Sequence, residues 1–220
     1  LAAERISIVV LFNHMSDAQA AAHDALAAIL DATKPAPDPS LPAPAWLGAY
    51  TEPETGLSAR LEPSAPGEVR LRFGPAPDRL RLQHDGSATT GRITIRPEAD
   101  GLWLERPGEN LRTRLVPLTA GMPDSDIAGR YRCDELEAEI AITDAGGALY
   151  GACAGPLGQG RMEQLVAIGP DLWALPCPRA LDVSPPGDWT LEFRRDGAGH
   201  VSGATVGCWL ARGLAYARVA

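Results

Sequence analysis

Hydrophobic and polar positions change their spacing twice along this 220-residue chain. The first segment, Arg5-Ile-Ser-Ile-Val-Val-Leu-Phe-Asn13, is a mostly β-branched, apolar run of strand length. Such a run suits a strand covered on at least one face. Ser16-Asp17 then offers a helix N-cap with an acidic first turn. Ala22, Leu26, Ile29 and Leu30 share one helical face, which predicts a helix over Asp17–Thr33. One strand and one helix cannot enclose a core. Residues 1–34 therefore read as the terminal strand and helix of an α/β domain lying upstream. Residues 35–45 carry five prolines, Pro35, Pro37, Pro39, Pro42 and Pro44, and predict a stiff, extended linker.

From Trp46 the period shortens to two. Strands are expected at Leu57–Leu61, Val69–Phe73, Arg79–Gln83, Arg92–Arg96, Leu102–Glu105 and Leu111–Pro117. Turn signals separate them: Ala65-Pro-Gly67, Gly74-Pro75, His84-Asp-Gly86, Ala99-Asp-Gly101 and Arg106-Pro-Gly108. Arg70, Arg72, Arg79 and Arg81 alternate with Leu71, Leu80 and Leu82, so one face is wet and the other buried.

The same grammar then restarts. Leu47-Gly-Ala-Tyr50 recurs as Ala128-Gly-Arg-Tyr131, an offset of 81 residues. An acidic turn follows each, Glu52-Pro-Glu54 and Asp134-Glu135, and then a strand, Leu57–Leu61 and Leu136–Ile142. Gly101-Leu-Trp103 is echoed by Asp171-Leu-Trp173 at an offset of 70. Two copies of one β unit are the reading, over 46–120 and 126–220. Each has the length of a small eight-stranded antiparallel barrel, and closing a sheet removes its edge strands. The expected fold class is mainly β, two consecutive eight-stranded barrels behind the strand and helix.

Charge and composition narrow the function. A net charge of -8 and a pI near 5.0 argue against a nucleic-acid binder. The longest apolar run, Ala25 to Leu30, is far short of a membrane-spanning helix. Cys133, Cys153, Cys177 and Cys208 show no Cys-x-x-Cys pairing and read as reduced thiols. The first residue is Leu1, which reads as the start of a piece of a longer chain.

Candidate chemistry is sparse. A serine nucleophile activated by a lysine one helical turn away needs Ser-x-x-Lys. Lys34 is the only lysine, and Asp31 stands three residues before it. Gly-x-Ser-x-Gly, a P-loop and His-Glu-x-x-His are also absent from the sequence. His14, His23, His84 and His200 have no metal-ligand spacing, and no metal or cofactor is expected. His84-Asp-Gly86 reads as a hairpin turn with Asp-Gly at its tip. Composition and spacing alone thus give a non-catalytic tail.

Several stretches resemble a known family. They are Leu11-Phe-Asn13, Trp46-Leu-Gly48 with Thr55-Gly-Leu57, Glu109-Asn-Leu-Arg112, Ile127-Ala-Gly-Arg-Tyr131 with Asp134-Glu-Leu136, Ser184-Pro-Pro-Gly187 and Val206-Gly-Cys-Trp-Leu-Ala-Arg-Gly213. In this order they resemble the C-terminal part of the D-aminopeptidases, a branch of the β-lactamase-like (penicillin-recognising) serine hydrolases. The resemblance implies two lipocalin-like barrels behind the end of a β-lactamase-like catalytic domain. It implies hydrolysis of peptides and amides that begin with a D-amino acid, by acyl transfer to a serine. The family's Ser-x-x-Lys, Tyr-x-Asn and His-x-Gly motifs map upstream of Leu1, so no catalytic residue is expected on this chain and it should be inactive alone. One element carries over. A loop of the last barrel restricts the cleft in the family, and it corresponds here to Cys177, Pro178, Arg179, Ala180, Leu181 and Asp182. Asp182 is the acid available to read a substrate ammonium, which Arg179 would repel.

The implied partners are the upstream catalytic domain and a D-amino-acid peptide or amide, with no nucleic acid and no membrane. Homodimerisation stays open, and the expected compartment is the cytoplasm. Two other function classes compete: a stand-alone barrel module binding a small ligand, and a structural or oligomerising tail.

Overall fold

Branched apolar side chains at every second position close the first sheet on itself. The computed structural model describes residues 5–11, 18–32, 36–118, 124–156, 158–177 and 187–219. The first eight strands are β1 (Gly48–Thr51), β2 (Ser58–Pro63), β3 (Glu68–Arg72), β4 (Asp78–Leu82), β5 (Ala88–Thr89), β6 (Thr94–Glu98), β7 (Gly101–Arg106) and β8 (Leu111–Pro117). They pair antiparallel in chain order, and β8 returns to β1 through Tyr50–Pro117 and Thr51–Val116, making a closed barrel. Val69, Leu71, Leu80, Ile95, Leu104 and Leu115 point inward and are 0% exposed. Burying each contributes about 1.5–3 kcal/mol. Arg70 and Arg72, one position off, stay on the wetter outer face, as the alternation predicts. β1 and β5 escaped the periodicity, because elements of four and two residues are too short to carry a pattern.

The second sheet contains β9 (Gly129–Cys133), β10 (Ala138–Ala145), β11 (Ala148–Gly155), β12 (Gly158–Gln159), β13 (Glu163–Gln164), β14 (Val166–Ala167), β15 (Leu172–Leu175), β16 (Trp189–Arg195), β17 (Val201–Gly207) and β18 (Leu214–Arg218). It is a curled ten-stranded sheet with β18 paired to β9. Its two flanks meet through one bent segment. β13 pairs with β11, the Leu165 amide donates to the Leu149 carbonyl at 2.8 Å, and β14 pairs with β15. Gly151 makes room for the bend: a Cβ there would lie 2.9 Å from Leu165 Cδ1 and 3.2 Å from Leu175 Cδ1. Taken as one bent strand, residues 163–167 complete a ring of eight with β9–β11 and β15–β18.

The internal repeat is real at its start. Gly48 and Gly129 open β1 and β9 with φ of 150° and 152°. The Tyr50 hydroxyl donates to the Trp46 carbonyl at 2.6 Å, and the Tyr131 hydroxyl to the Ile127 carbonyl at 2.6 Å. The Leu-Trp echo does not survive. Trp103 lies on the seventh strand of its barrel and is half-buried, whereas Trp173 lies on β15 in the core. Leu-Trp is simply a short strand pattern that recurs with either parity.

The first segment was expected to be a strand of the upstream domain. Residues 5–11 form no strand, and Val9 and Leu11 are 80% and 87% exposed. A strand needs a neighbour to take its N–H and C=O groups, and the neighbours expected for this one belong to the upstream domain. The helix α1 (Ala18–Ile29) forms within the expected range, with Ile29 and Leu30 exposed. The proline-rich residues 36–45 lie against the first barrel. Leu41 and Trp46 pack on its core, and a Cβ on Gly67 would fall 2.3 Å from the Asp38 carbonyl oxygen.

Candidate functional site

The predicted loop leaves the second sheet between β15 and β16. Leu175 and Trp189 are register partners, so the connection between them springs from a paired base. Of the six residues singled out, Cys177 is described and half-buried. Pro178, Arg179, Ala180, Leu181 and Asp182 lie outside the described residues.

The far side of the base is fastened to the first barrel. Gly187, with φ of 85°, approaches so closely that a Cβ would lie 2.2 Å from the Gly74 carbonyl oxygen. Only glycine satisfies both the left-handed backbone and the contact. Next to it, Asp188 forms an ion pair with Arg60 on β2. Thr190 is buried, and its hydroxyl accepts from the Ser58 amide at 2.9 Å and shares a hydrogen bond with the Ser58 hydroxyl at 2.9 Å. The loop's exit is therefore set by both barrels.

A second contact lies nearby. Trp209, in the β17–β18 connection, packs on the core of the first barrel. Its ring meets Phe73 edge-on at 5.4 Å, and the Arg106 guanidinium sits 5.3 Å from its centroid. Arg106 is 5% exposed in its side chain and forms ion pairs with Asp78 and Glu109. Burial pushes the Asp78 carboxyl up, while the Arg106 charge and hydrogen bond pull against it.

Between these contacts lies a cleft of about 50 Å³, lined in part by Ser58, Arg60, Arg72, Phe73, Gly74 and Asp188. That is room for water rather than for an amino-acid amide. Its charges are matched: Arg60 faces Asp188 and Glu62, and Arg72 faces Glu62. The Ser58 hydroxyl is held by Thr190, with no histidine or lysine on it in the contacts described.

The remaining candidates resolve into local structure. His84-Asp-Gly86 is the β4–β5 turn, in which the Asp85 carboxylate accepts from the Ser87 amide and hydroxyl. Gly86 there has a φ of 82°. His200 sits in the β16–β17 turn near Asp196 and is 80% exposed. His23 lies on α1, and His14 is outside the described residues. The four cysteines are free, and no cluster of three or more metal-ligating side chains occurs among the described residues. No helix among the described residues is long and apolar enough to cross a membrane.

Glu52 is the buried carboxylate, 2% exposed. Burial opposes its ionisation, but hydrogen bonds from the Thr113 and Thr55 hydroxyls and from the Glu54 and Thr55 amides outweigh it. They hold its carboxyl below the usual range. It fixes the β1–β2 corner. Sequence reasoning missed Ser58, Arg60, Asp188 and Thr190, whose partners lie 128–132 residues away. Trp209 was within reach, since it sits inside the Val206–Gly213 stretch.

Comparison with known proteins gives a consistent picture. A family model described as D-aminopeptidase, domain B, matches residues 40–217. A D-aminopeptidase of Gluconobacter oxydans is 49% identical over 228 aligned residues, covering 100% of this chain and 43% of the relative. D-aminopeptidases of Brucella melitensis and Brucella ovis are each 43% identical over 216 residues, covering 98% of this chain and 42% of the relative. The chain thus spans about two fifths of the length of these curated relatives.

Proposed function

The chain belongs to the D-aminopeptidase family, and on that premise we propose that it is the C-terminal accessory region of a serine hydrolase. The intact cytoplasmic enzyme would carry a β-lactamase-like catalytic domain and release N-terminal D-amino acids from peptides and amides. The carrying observation is the identity of 43–49% over nearly the whole chain to proteins named D-aminopeptidase. The structure supports an accessory role. The two cores are filled by their own side chains, which favours this reading over a ligand-carrying module.

The connection from Cys177 to Asp182 is the element through which the second barrel acts. Its exit is braced by Gly187 on Gly74 and by Asp188 on Arg60. A loop with a fixed base reaches into a cleft at little cost in ordering entropy. Asp182 is assigned the substrate ammonium. A desolvated, charge-assisted hydrogen bond of that kind contributes about 1.5–3 kcal/mol, or roughly 10- to 100-fold in specificity.

The test uses the full-length gene product and this 220-residue chain side by side on D-alanine p-nitroanilide. The full-length protein should turn over and the chain should remain at background. In the full-length protein, Asp182→Asn should lower kcat/KM for free-amine substrates about 10- to 100-fold relative to N-acetylated ones. Serine-dependent turnover by the chain alone would overturn the accessory reading. An unchanged ratio in Asp182→Asn would overturn the role of the loop.

A further inference from the structure

Chain entry and loop exit lie at opposite ends of one hairpin of the first barrel. Residues 36–46 arrive where β3 starts and β4 ends. A Cβ on Gly67 would lie 2.3 Å from the Asp38 carbonyl oxygen, and His84 Nε2 is 3.5 Å from the Asp38 carboxylate. The Trp46 indole donates to the Gly86 carbonyl at 3.3 Å at the same end. The turn between β3 and β4 lies at the other end, where Gly74 meets Gly187 at the exit of the β15–β16 connection. Between the two ends β3 rises only about 13 Å from Glu68 to Arg72.

The outer face of this hairpin carries charges that the barrel does not satisfy. Arg70 and Arg79 are register partners and face each other across the strand pair. Like charges directly opposite destabilise a sheet. Arg79 is exposed and Arg70 half-buried, while Val69, Leu71 and Leu80 beside them fill the core. Glu62, the partner of Arg70 on its other side, is taken by Arg60 and Arg72. Glu68, across from Arg81, forms no ion pair with either arginine in the contacts described. Neither the Arg70 nor the Arg79 guanidinium has a hydrogen bond or ion pair among the described residues.

We propose that this face, centred on Arg70 and Arg79, is where the upstream catalytic domain docks, and that the domain meets the two guanidiniums with carboxylates. The inference rests on the proposed function, in which that domain precedes Leu1 and is reached by the Cys177–Asp182 connection. A body tethered at the Asp38 end and touched from the Gly74 end lies across the strands between them. The curated relatives have more than half of their length outside the part matched here, enough for a domain wider than the hairpin. A carboxylate set between the two arginines removes the like-charge cost, which no described group of the barrel does. The net charge of -8 opposes a nucleic acid or other polyanion on the same face.

The test uses the full-length gene product carrying Arg70→Lys or Arg79→Lys, each of which keeps the charge and adds an amine. This chain has a single lysine of its own, Lys34, so its background is low. A carbodiimide joins an amine to a carboxylate only where the two touch. The expected product links position 70 or 79 to an aspartate or glutamate upstream of Leu1. Arg112→Lys, on β8 half-way round the ring from β4 and 70% exposed in its side chain, should give no upstream link. An equal mixture of isotope-labelled and unlabelled protein should give links within one molecule only. Phenylglyoxal should label Arg70, Arg79 and Arg112 in the 220-residue chain, and Arg112 alone of the three in the unsubstituted full-length protein. No upstream link from either position, links only between molecules, or equal labelling of Arg70 and Arg79 in chain and full-length protein would each overturn the docking face. Turnover of D-alanine p-nitroanilide by the same preparations separates this inference from the proposed function. Turnover without a link sinks the docking face alone, whereas a link without turnover sinks the activity and supports the docking.

Discussion

Each barrel opens with a glycine at a φ near 150° and a tyrosine tied to a carbonyl four residues back, yet the two rings are completed differently. In the first, eight strands pair in chain order, and the wall is lined by Val, Leu and Ile. Leu41 and Trp46 pack against its core, and so does Trp209 of the second barrel. In the second, residues 163–167 bend at Leu165 to serve two neighbours, and Gly151, Cys133 and Ala204 supply small wall positions beside Tyr131, Trp173 and Phe193. The corner after the first strand differs as well. Glu52 is locked by four donors in the first barrel, while the position 81 residues on is Cys133. The regular ring makes a platform. The irregular one carries the long connection, and the platform braces that connection at Gly74 and Arg60.

The brace is where the comparison breaks most easily. Trp209 joins the two units through Phe73, Arg106 and the first core. Trp209→Ala removes an aromatic wedge and leaves the Arg106 guanidinium without its ring partner. The expected loss is about 2–3 kcal/mol, below the 3–5 kcal/mol of a fully buried tryptophan because the ring is half-buried. Scanning calorimetry should give one transition for the wild type and two for the variant, the barrels now melting separately. Two transitions in the wild type would mean that the brace does not couple the barrels.

The first barrel was the more legible from sequence, for a physical reason. Regular alternation such as Arg70-Leu71-Arg72 fixes both the strand and its buried face. The Gly-x-Tyr start was legible too, because the strained glycine and the bonded hydroxyl demand those residue types. The split strand at Leu165 was not, since two-residue pieces carry no period. Nor was the brace at Asp188 and Thr190, because a contact across some 130 residues leaves no local signal. Arg5–Asn13 had the composition of a strand, and its expected neighbours belong to the upstream domain. Of the loop, the family resemblance put Cys177–Asp182 between Trp173 and Trp189; β15 ends at Leu175, and Pro178 to Asp182 lie outside the described residues.

A smaller effect tests the irregular ring alone. Gly151→Val forces a branched side chain into the space of Leu165 and Leu175, with its Cβ 2.9 Å and 3.2 Å from their methyls. Leucine ends can shift, so the cost is that of ordinary overpacking, about 1–3 kcal/mol. Hydrogen exchange should quicken at Leu165 and Gln164, whose amides sit at the bend, and stay unchanged in β2–β4. Uniform quickening through both barrels would show that the bend is no weaker than the rest.

The smallest effect asks whether the repeat is energetic as well as geometric. Tyr50→Phe and Tyr131→Phe each delete one hydroxyl and orphan one carbonyl, Trp46 in the first barrel and Ile127 in the second. Each should cost about 1 kcal/mol in urea unfolding at pH 7. Tyr131→Phe should be somewhat the larger, because Tyr131 is 1% exposed and Ile127 0%, against 5% for Tyr50. Alkaline pH separates the two further. Burial pushes the Tyr131 phenol up from 10 to about 12 and raises Tyr50 as well. A raised phenol contributes stability that is fully present below pH 10 and is lost as pH climbs towards 12. Phenylalanine has nothing to ionise, so the gap between wild type and Tyr131→Phe should narrow across that window. A gap that holds steady from neutral pH into it would place the Tyr131 hydroxyl outside the folded-state linkage and leave the two anchors alike in geometry only.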